Sequence, residues 1–373
     1  MEQDSAFIPV AAPDLSGAEQ RYVADAIQST WISSSGRYVK EFEAEFARSC
    51  NVKLAASVVN GTAALHLAIE ALGLRPGDEV IVPSLTYVAT ANAVRYAGGA
   101  PVFVDVDPAT WCLDPNLVES AVSERTKGVI AVDLYGHPAD MDRIGQVAAK
   151  HGLWVLEDAA EAHFATYKGR MVGGLADLTV FSFFGNKIIT CGEGGAITTN
   201  DPELDRRVRL LRNQGMDPDR RYFFPVIGYN YRLTNVACAL LCAQLERREQ
   251  LIGRRREIYA RYRSNLAGTP GLGFQPVAPW AQVTPWLFCA TIDPAGFGRE
   301  RDEVMAVLQQ KGIETRPFFI PIHQLPPHAA SRRAGGLPHT ETLAATGINL
   351  PTFSGMSDAQ IDRVCAALSA ARR

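Results

Sequence analysis

The sequence predicts an α/β fold, with a mostly parallel central sheet in a large domain and a smaller α/β domain after it. Two observations carry this. Five short apolar runs in the first half alternate with helix-like stretches, the pattern of strands covered by helices on both faces. The chain has 373 residues, more than one hydrophobic core usually serves.

The elements follow in order. The run over residues 54–59 ends in Asn60-Gly61-Thr62 and opens a helix, AALHLAIEALG. A run at 79–83 leads into a helix over about 87–97. PVFVDV, a helix near 116–122, GVIAVDLYG, a helix near 140–151 and LWVLED complete the series. After Asp158 the rhythm changes: TVFSFF and GAITT read as two strands joined by the loop GNKIITCGEG. One long helix is expected over 234–266, bridging to a second domain that holds WLFCATID, a helix at 299–311, IETRPFF and a terminal helix over 357–372. The loop at 214–231 is longer than a simple connection needs, and such loops are often functional.

Composition excludes several classes. Hydrophobic residues are 47% and charged residues 21%, the profile of a soluble globular protein. The net charge of -3, with no basic stripe, gives no reason to expect nucleic acid. The seven cysteines are odd in number, scattered and without C-x-x-C, which argues against a disulfide framework and a zinc site; no metal is expected. Cys238 and Cys242, one helical turn apart, read as small apolar residues on a buried face. The start, MEQDSAF, is acidic where a secretory signal is basic, and no apolar stretch is long enough to cross a bilayer. A cytoplasmic location is expected.

No complete G-x-G-x-x-G, P-loop, H-E-x-x-H or G-x-S-x-G occurs. In parallel sheets chemistry lies at the carboxyl ends of the strands. Asn60-Gly61-Thr62 closes a strand and opens a helix, which suits a phosphate, though by itself it reads equally as a turn and N-cap. Asp158 ends LWVLED; a carboxylate there needs a cation such as the pyridinium nitrogen of pyridoxal phosphate, or else serves as a helix cap. Lys187 lies in a glycine-bearing loop among Phe183, Phe184 and Ile188. Desolvation there would free its amine for imine chemistry; the bland alternative is a solvated lysine.

FSFFGNKIITCGEGGAITTND, NGTAALHLAIEALGLRPGDEVIVPSLTYVATANAV, LEDAAEA and YNYRLTN resemble, in order and spacing, segments of the DegT/DnrJ/EryC1/StrS family of sugar aminotransferases. The resemblance covers nearly the whole chain. It implies a fold-type-I aminotransferase architecture, divided here into residues 1–245 as the large cofactor-binding domain and 246–373 as the small one. It also implies ping-pong transfer of an amino group from L-glutamate to a nucleotide-linked keto-sugar. Lys187 would carry pyridoxal phosphate as a Schiff base and then move the proton, and Asp158 would pair with the pyridinium nitrogen. Tyr87 would stack on the ring, Gly61, Thr62 and Ser182 would hold the phosphate, and Glu161 would lie near the phenolic oxygen. Asn235 would reach the phosphate of a neighbouring subunit, which requires a homodimer with shared active sites. Substrate contacts implied are Ser33, in WISSSGRY, Tyr229 and Arg232, in the long loop, and Arg316 and His323, in ETRPFFIPIH.

The dehydratase branch of that family has His in place of the lysine, so Lys187 argues for transamination. A different ketone, another ring position, an aminocyclitol or a non-catalytic cofactor-binding regulator are the alternatives. His163-Phe164, His137 and the segment SRRAGGLPHTETLAATG depart from the family pattern. His163 reads as a packed histidine or as a residue that reshapes the pocket.

Overall fold

The apolar runs become strands of one seven-stranded sheet in the computed structural model, which describes residues 7–373; the acidic start over residues 1–6 lies outside the described residues. The strands are β1 (Leu54–Val58), β2 (Glu79–Pro83), β3 (Ala100–Val104), β4 (Thr126–Val132), β5 (Trp154–Asp158), β6 (Leu178–Ser182) and β7 (Gly195–Thr199). Their order is β1-β7-β6-β5-β4-β2-β3. β7 runs against its neighbours β1 and β6, and the other six strands point one way. β2, β6 and β7 are buried along their whole length, as strands covered on both faces must be.

Alternation along the strands feeds two separate cores. Val80, Val82, Ile130 and Val132 face α3 (Gly61–Leu72) and α4 (Ala89–Tyr96). Ile81, Val102, Val129 and Ala131 face α5 (Pro115–Ala121) and α6 (Met141–His151). Side-chain caps fix where these helices start: Asn60 Oδ1 accepts from Ala63 N at 2.8 Å, and Asp114 and Asp140 cap α5 and α6. A third cluster packs α8 (Asn235–Glu246) beneath two helices at 19–28 and 37–49. Cys238 lies fully buried in it and Cys242 packs at its margin.

The long helix expected over 234–266 is two helices, α8 and α9 (Arg248–Asn265), broken at Arg247 (φ -112°, ψ 16°). α8 and the start of α9, through Leu251 and Ile252, pack in the cluster around Phe42 and Phe46, and farther along α9 sends Ile258 and Tyr262 into the cluster of the second sheet. Arg247 is pinned between them by Asp14 at 3.0 and 3.1 Å. The helix at 202–212 and the two at 19–49 are additions to the sequence reading. The first carries a local signal, since Asp201 caps it and Pro202 opens it.

The second sheet has the order β8-β9-β11-β10, all antiparallel: β8 (Leu272–Phe274), β9 (Phe288–Ile292), β10 (Arg316–Pro317) and β11 (Gly347–Leu350). β10 is shorter than IETRPFF promises: it pairs at Arg316 and Pro317 only, with one further bond from Phe318 N to Gly347 O at 3.1 Å. The departing segment at 331–347 has a structural task. Phe103 N donates to Arg332 O and Ala334 N to Phe103 O, both at 2.9 Å, so it covers the edge strand β3. Asp105 then accepts from His339 N and Thr340 N. Among the described residues no helix is long and apolar enough to cross a membrane.

Candidate active site

A cleft of about 440 Å³ opens at the carboxyl ends of β5 and β6, against the first turn of α3. Close backbone approach builds its floor. A Cβ on Gly195 would lie 2.7 Å from the Asn60 carbonyl, and one on Gly61 would lie 2.8 Å from Ser182 Cβ, so both positions need glycine. Asn60 takes the Ala63 N–H with its side chain and the Ala64 N–H with its carbonyl. The N–H groups at the helix tip, on Gly61 and Thr62, are therefore the ones left for a ligand, and Ser182 closes that end. This cradle fits a phosphate.

Deeper in the cleft lie three ionisable groups. Asp158 Oδ2 accepts from Thr90 Oγ1 at 2.8 Å and Oδ1 accepts from Ala160 N at 3.3 Å. Burial still pushes its carboxyl above the usual range, against the pull of Thr90, Ala160 and Lys187. A carboxylate held this dry fits the positive nitrogen of a pyridinium ring. Burial lowers the Lys187 amine, which Glu161 and Asp158 pull back up. Glu161 Oε1 stands 3.9 Å from Lys187 Nζ, and its Oε2 accepts from Tyr135 N at 2.9 Å. Tyr135 adopts a left-handed backbone (φ 57°), which sets its N–H in line with Glu161. Burial pushes Glu161 up to about 7, so near neutrality it can donate a proton as readily as accept one.

Of the residues singled out from the sequence, Gly61, Thr62, Tyr87, Asp158, Glu161, Ser182, Lys187 and Arg316 all line this cleft. Tyr87 is exposed at the mouth with Phe319 beside it, ring centroids 5.9 Å apart. Arg316 reaches in from the second sheet, 3.4 Å from Glu314.

Five others lie elsewhere. Asn235 is buried and its amide bonds within the chain: Oδ1 accepts from Tyr38 N at 3.0 Å and Nδ2 donates to Trp31 O at 2.6 Å. It ties down residues 31–38, and the same helix start holds Ser33 through its carbonyl. His323 is also buried, between Ser84 Oγ at 2.8 Å and Glu341 at 3.2 Å, where it locks the end of β2 to the C-terminal half. Tyr229 stacks on Tyr231 at 5.0 Å, beside His66 on α3, and Arg232 bridges to Val58 through its backbone. His163 and His137 face away from the cleft. His163 packs against Phe181 and Phe183, and burial drives it down to about 3, so it is a neutral packed histidine. His137 accepts from Ala278 N at 3.1 Å.

Three contributors escape the sequence reading: Thr90, the Tyr135 N–H and Trp286. Thr90, one residue into the helix after PSLTY, carries a local hint. Trp286 has none, since its ring meets Lys187 only through the packing of the second sheet.

The family description "DegT/DnrJ/EryC1/StrS aminotransferase family" matches residues 13–369. A GDP-perosamine synthase of Caulobacter vibrioides is 49% identical over 365 residues, 97% of each chain. Another, from Escherichia coli O157:H7, is 43% identical over 97% of this chain and 98% of its own. The structure of S. venezuelae DesV in complex with a ketimine intermediate superposes with a TM-score of 0.91 at 38% identity, covering 99% of both chains. The cradle, the dry carboxylate and the buried amine agree with that kinship. The chain belongs to the DegT/DnrJ/EryC1/StrS aminotransferase family, and it is a pyridoxal-phosphate-dependent transaminase of fold type I.

Proposed function

We propose that this transaminase moves the amino group of L-glutamate onto C4 of GDP-4-keto-6-deoxymannose, giving GDP-perosamine. The observation that carries the chemistry is the buried Lys187 amine, set beside Glu161 and facing the same cleft as Asp158. The substrate is supported by the shared length and identity with GDP-perosamine synthases.

Pyridoxal phosphate, bound there, supplies an aldehyde carbon that joins to amines and a pyridine ring that takes up an electron pair. The Gly61 and Thr62 N–H groups and Ser182 hold its phosphate, Asp158 keeps its ring nitrogen protonated, and Tyr87 covers one face. Lys187 Nζ takes the proton from Cα of L-glutamate in the first half-reaction and returns one to C4 of the keto-sugar in the second. Its burial lowers the amine's pKa and so favours the neutral form that accepts a proton. Glu161 donates a hydrogen bond toward the phenolic oxygen while protonated. Arg316, on the rim, is placed for the diphosphate of the sugar nucleotide.

Two copies of the chain share their clefts in this reading. The support is the loop at 214–231, which holds Tyr222 72% and Ile227 90% exposed. An apolar cluster of that kind marks an interface. Residues 1–245 and 246–373 then act as large and small domains, with Arg316 brought in from the second.

The test is a panel of keto-sugars offered to enzyme first charged with L-glutamate. GDP-4-keto-6-deoxymannose is expected to turn over to the 4-amino sugar. Turnover with a dTDP- or UDP-linked ketone alone, amination at C3, or acceptance of an aminocyclitol ketone overturns the substrate assignment. A purified protein that stays colourless with added pyridoxal phosphate overturns the transaminase mechanism itself.

A further inference from the structure

Lys187 has a neighbour from the other half of the molecule. Trp286 precedes β9, is 5% exposed, and reaches back across the cleft so that its ring centroid lies 3.8 Å from Lys187 Nζ. The indole is held at both ends. Its Nε1–H donates to the Asn186 carbonyl at 2.8 Å, one residue before Lys187. Its own carbonyl accepts from Arg255 Nη1 at 2.7 Å, and the buried Arg255 also donates to the Thr352 carbonyl at 3.3 Å. The ring is further backed by Tyr135, nearly parallel at 17° and 6.3 Å, whose N–H holds Glu161. Leucine or methionine would fill the same space, but neither offers a negative face to a cation.

Besides Glu193 and Arg316 in the cleft lining, further titratable groups surround the amine. Glu161 lies 3.9 Å away, Asp158 adds a second negative charge, and His163 is held neutral by burial. Arg255 is on the far side of Trp286, at its carbonyl. In the first half-reaction the amine of L-glutamate would take the place of Lys187, which would then stay free until it displaces the aminated sugar at the end of the second; throughout, the freed side chain must wait near the reacting carbon as its proton carrier. A lysine stem has four flexible carbons and loses its position easily.

We propose that Trp286 is a positioning residue for this reaction: its indole face is the resting place of the Lys187 ammonium whenever that amine is not joined to the cofactor. Residues of the C-terminal half, Arg255 on α9 and Trp286 before β9, thereby take part in placing the proton carrier. The inference rests on the chain being a pyridoxal-phosphate transaminase.

The first measurement follows uptake of pyridoxal phosphate by the cofactor-free protein, by absorbance, as a function of pH. Only the neutral amine reacts, so the pH midpoint reads the Lys187 equilibrium. Trp286→Leu is expected to move that midpoint down by about one unit. It should also slow the L-glutamate half-reaction about tenfold with KM for L-glutamate unchanged. Trp286→Phe, which keeps a face but not the Nε1–H, restores most of the midpoint. The second measurement needs no mutation. Protein made with fluorinated tryptophans of increasing fluorine number keeps its shape while the ring face weakens, so the midpoint should fall stepwise. A midpoint that stays at the parent value across the fluorinated series, or Leu and Phe variants that lose stability alike with no shift, overturns the proposal. If the parent itself takes up no pyridoxal phosphate, it is the transaminase mechanism that fails.

Discussion

The inner and outer sides of the cleft are built on opposite terms. On the inner side, Asp158, Glu161, Ser182 and Lys187 are set at strand ends, and the two carboxylates are bonded to partners in the same chain. On the outer side Tyr87 stands open at the mouth, and beyond the cleft lining the loop at 214–231 leaves Tyr222, Phe224 and Ile227 in water. The inner wall can perform its chemistry only because burial has shifted its ionisable groups. Tyr87 and the loop at 214–231 are the exposed apolar surface that the proposed second subunit and sugar would cover. The reacting groups are set within one chain, whereas the proposed dimer and sugar contacts fall on that exposed surface.

The strongest way to break that contrast is at Lys187. Lys187→Ala should lose turnover by more than about 10³-fold and fail to form the yellow protein, while retaining the fold. A Lys187→Ala protein at the parent rate would refute the assignment of the inner wall. Asp158→Asn keeps the shape but removes the charge, and should slow both half-reactions by about 10²-fold or more; equal rates would show that the ring nitrogen is held otherwise.

On the outer side, Ile227→Asp puts a charge into the exposed apolar loop. The expected result is a dimer weakened by about tenfold or more in sedimentation, with activity that falls on dilution. An unchanged association constant would remove the loop from the interface.

The smallest effect sharpens the electrostatics. Burial raises Glu161 from its ordinary 4.5 to about 7, so in the cofactor-free protein its contribution to stability is present below pH 4.5 and is lost as the pH rises through 7. Each unit of that window corresponds to about 1.4 kcal/mol at most. Glu161→Gln should flatten the fall in denaturation midpoint across it, and an undiminished slope would place the titrating carboxyl elsewhere.

Much of the inner wall is legible in the sequence because it is local. Asn60-Gly61-Thr62 is a strand end, a cap and a helix tip within three residues, and LWVLED followed by Ala159 to Glu161 sets two carboxylates at the end of one strand. The outer contacts are less legible. Asn235 and His323 match a substrate- or partner-facing pattern in sequence, yet in the fold they are buried ties, because each meets hydrogen-bond partners far away in the chain. The break at Arg247 is likewise invisible locally, since helix-forming residues run through it and its side chain is tied to Asp14, more than two hundred residues earlier in the chain.

The sequence by itself determined the alternation of strands and helices, the glycines that let α3 approach β6 and β7, and the residues that would meet the cofactor. The alternation and the helix tip follow from short-range rules of periodicity, capping and backbone freedom, whereas the cofactor roles of Tyr87, Glu161 and Ser182 come from the family resemblance. Only the tertiary structure decided which face of the molecule completes the site. The order β1-β7-β6-β5-β4-β2-β3 brings Gly61, Asp158 and Lys187 to one edge, and the second sheet lays Trp286 over the Lys187 amine. Those contacts join segments far apart in the chain, and burial, which no single segment contains, shifts the ionisable groups among them.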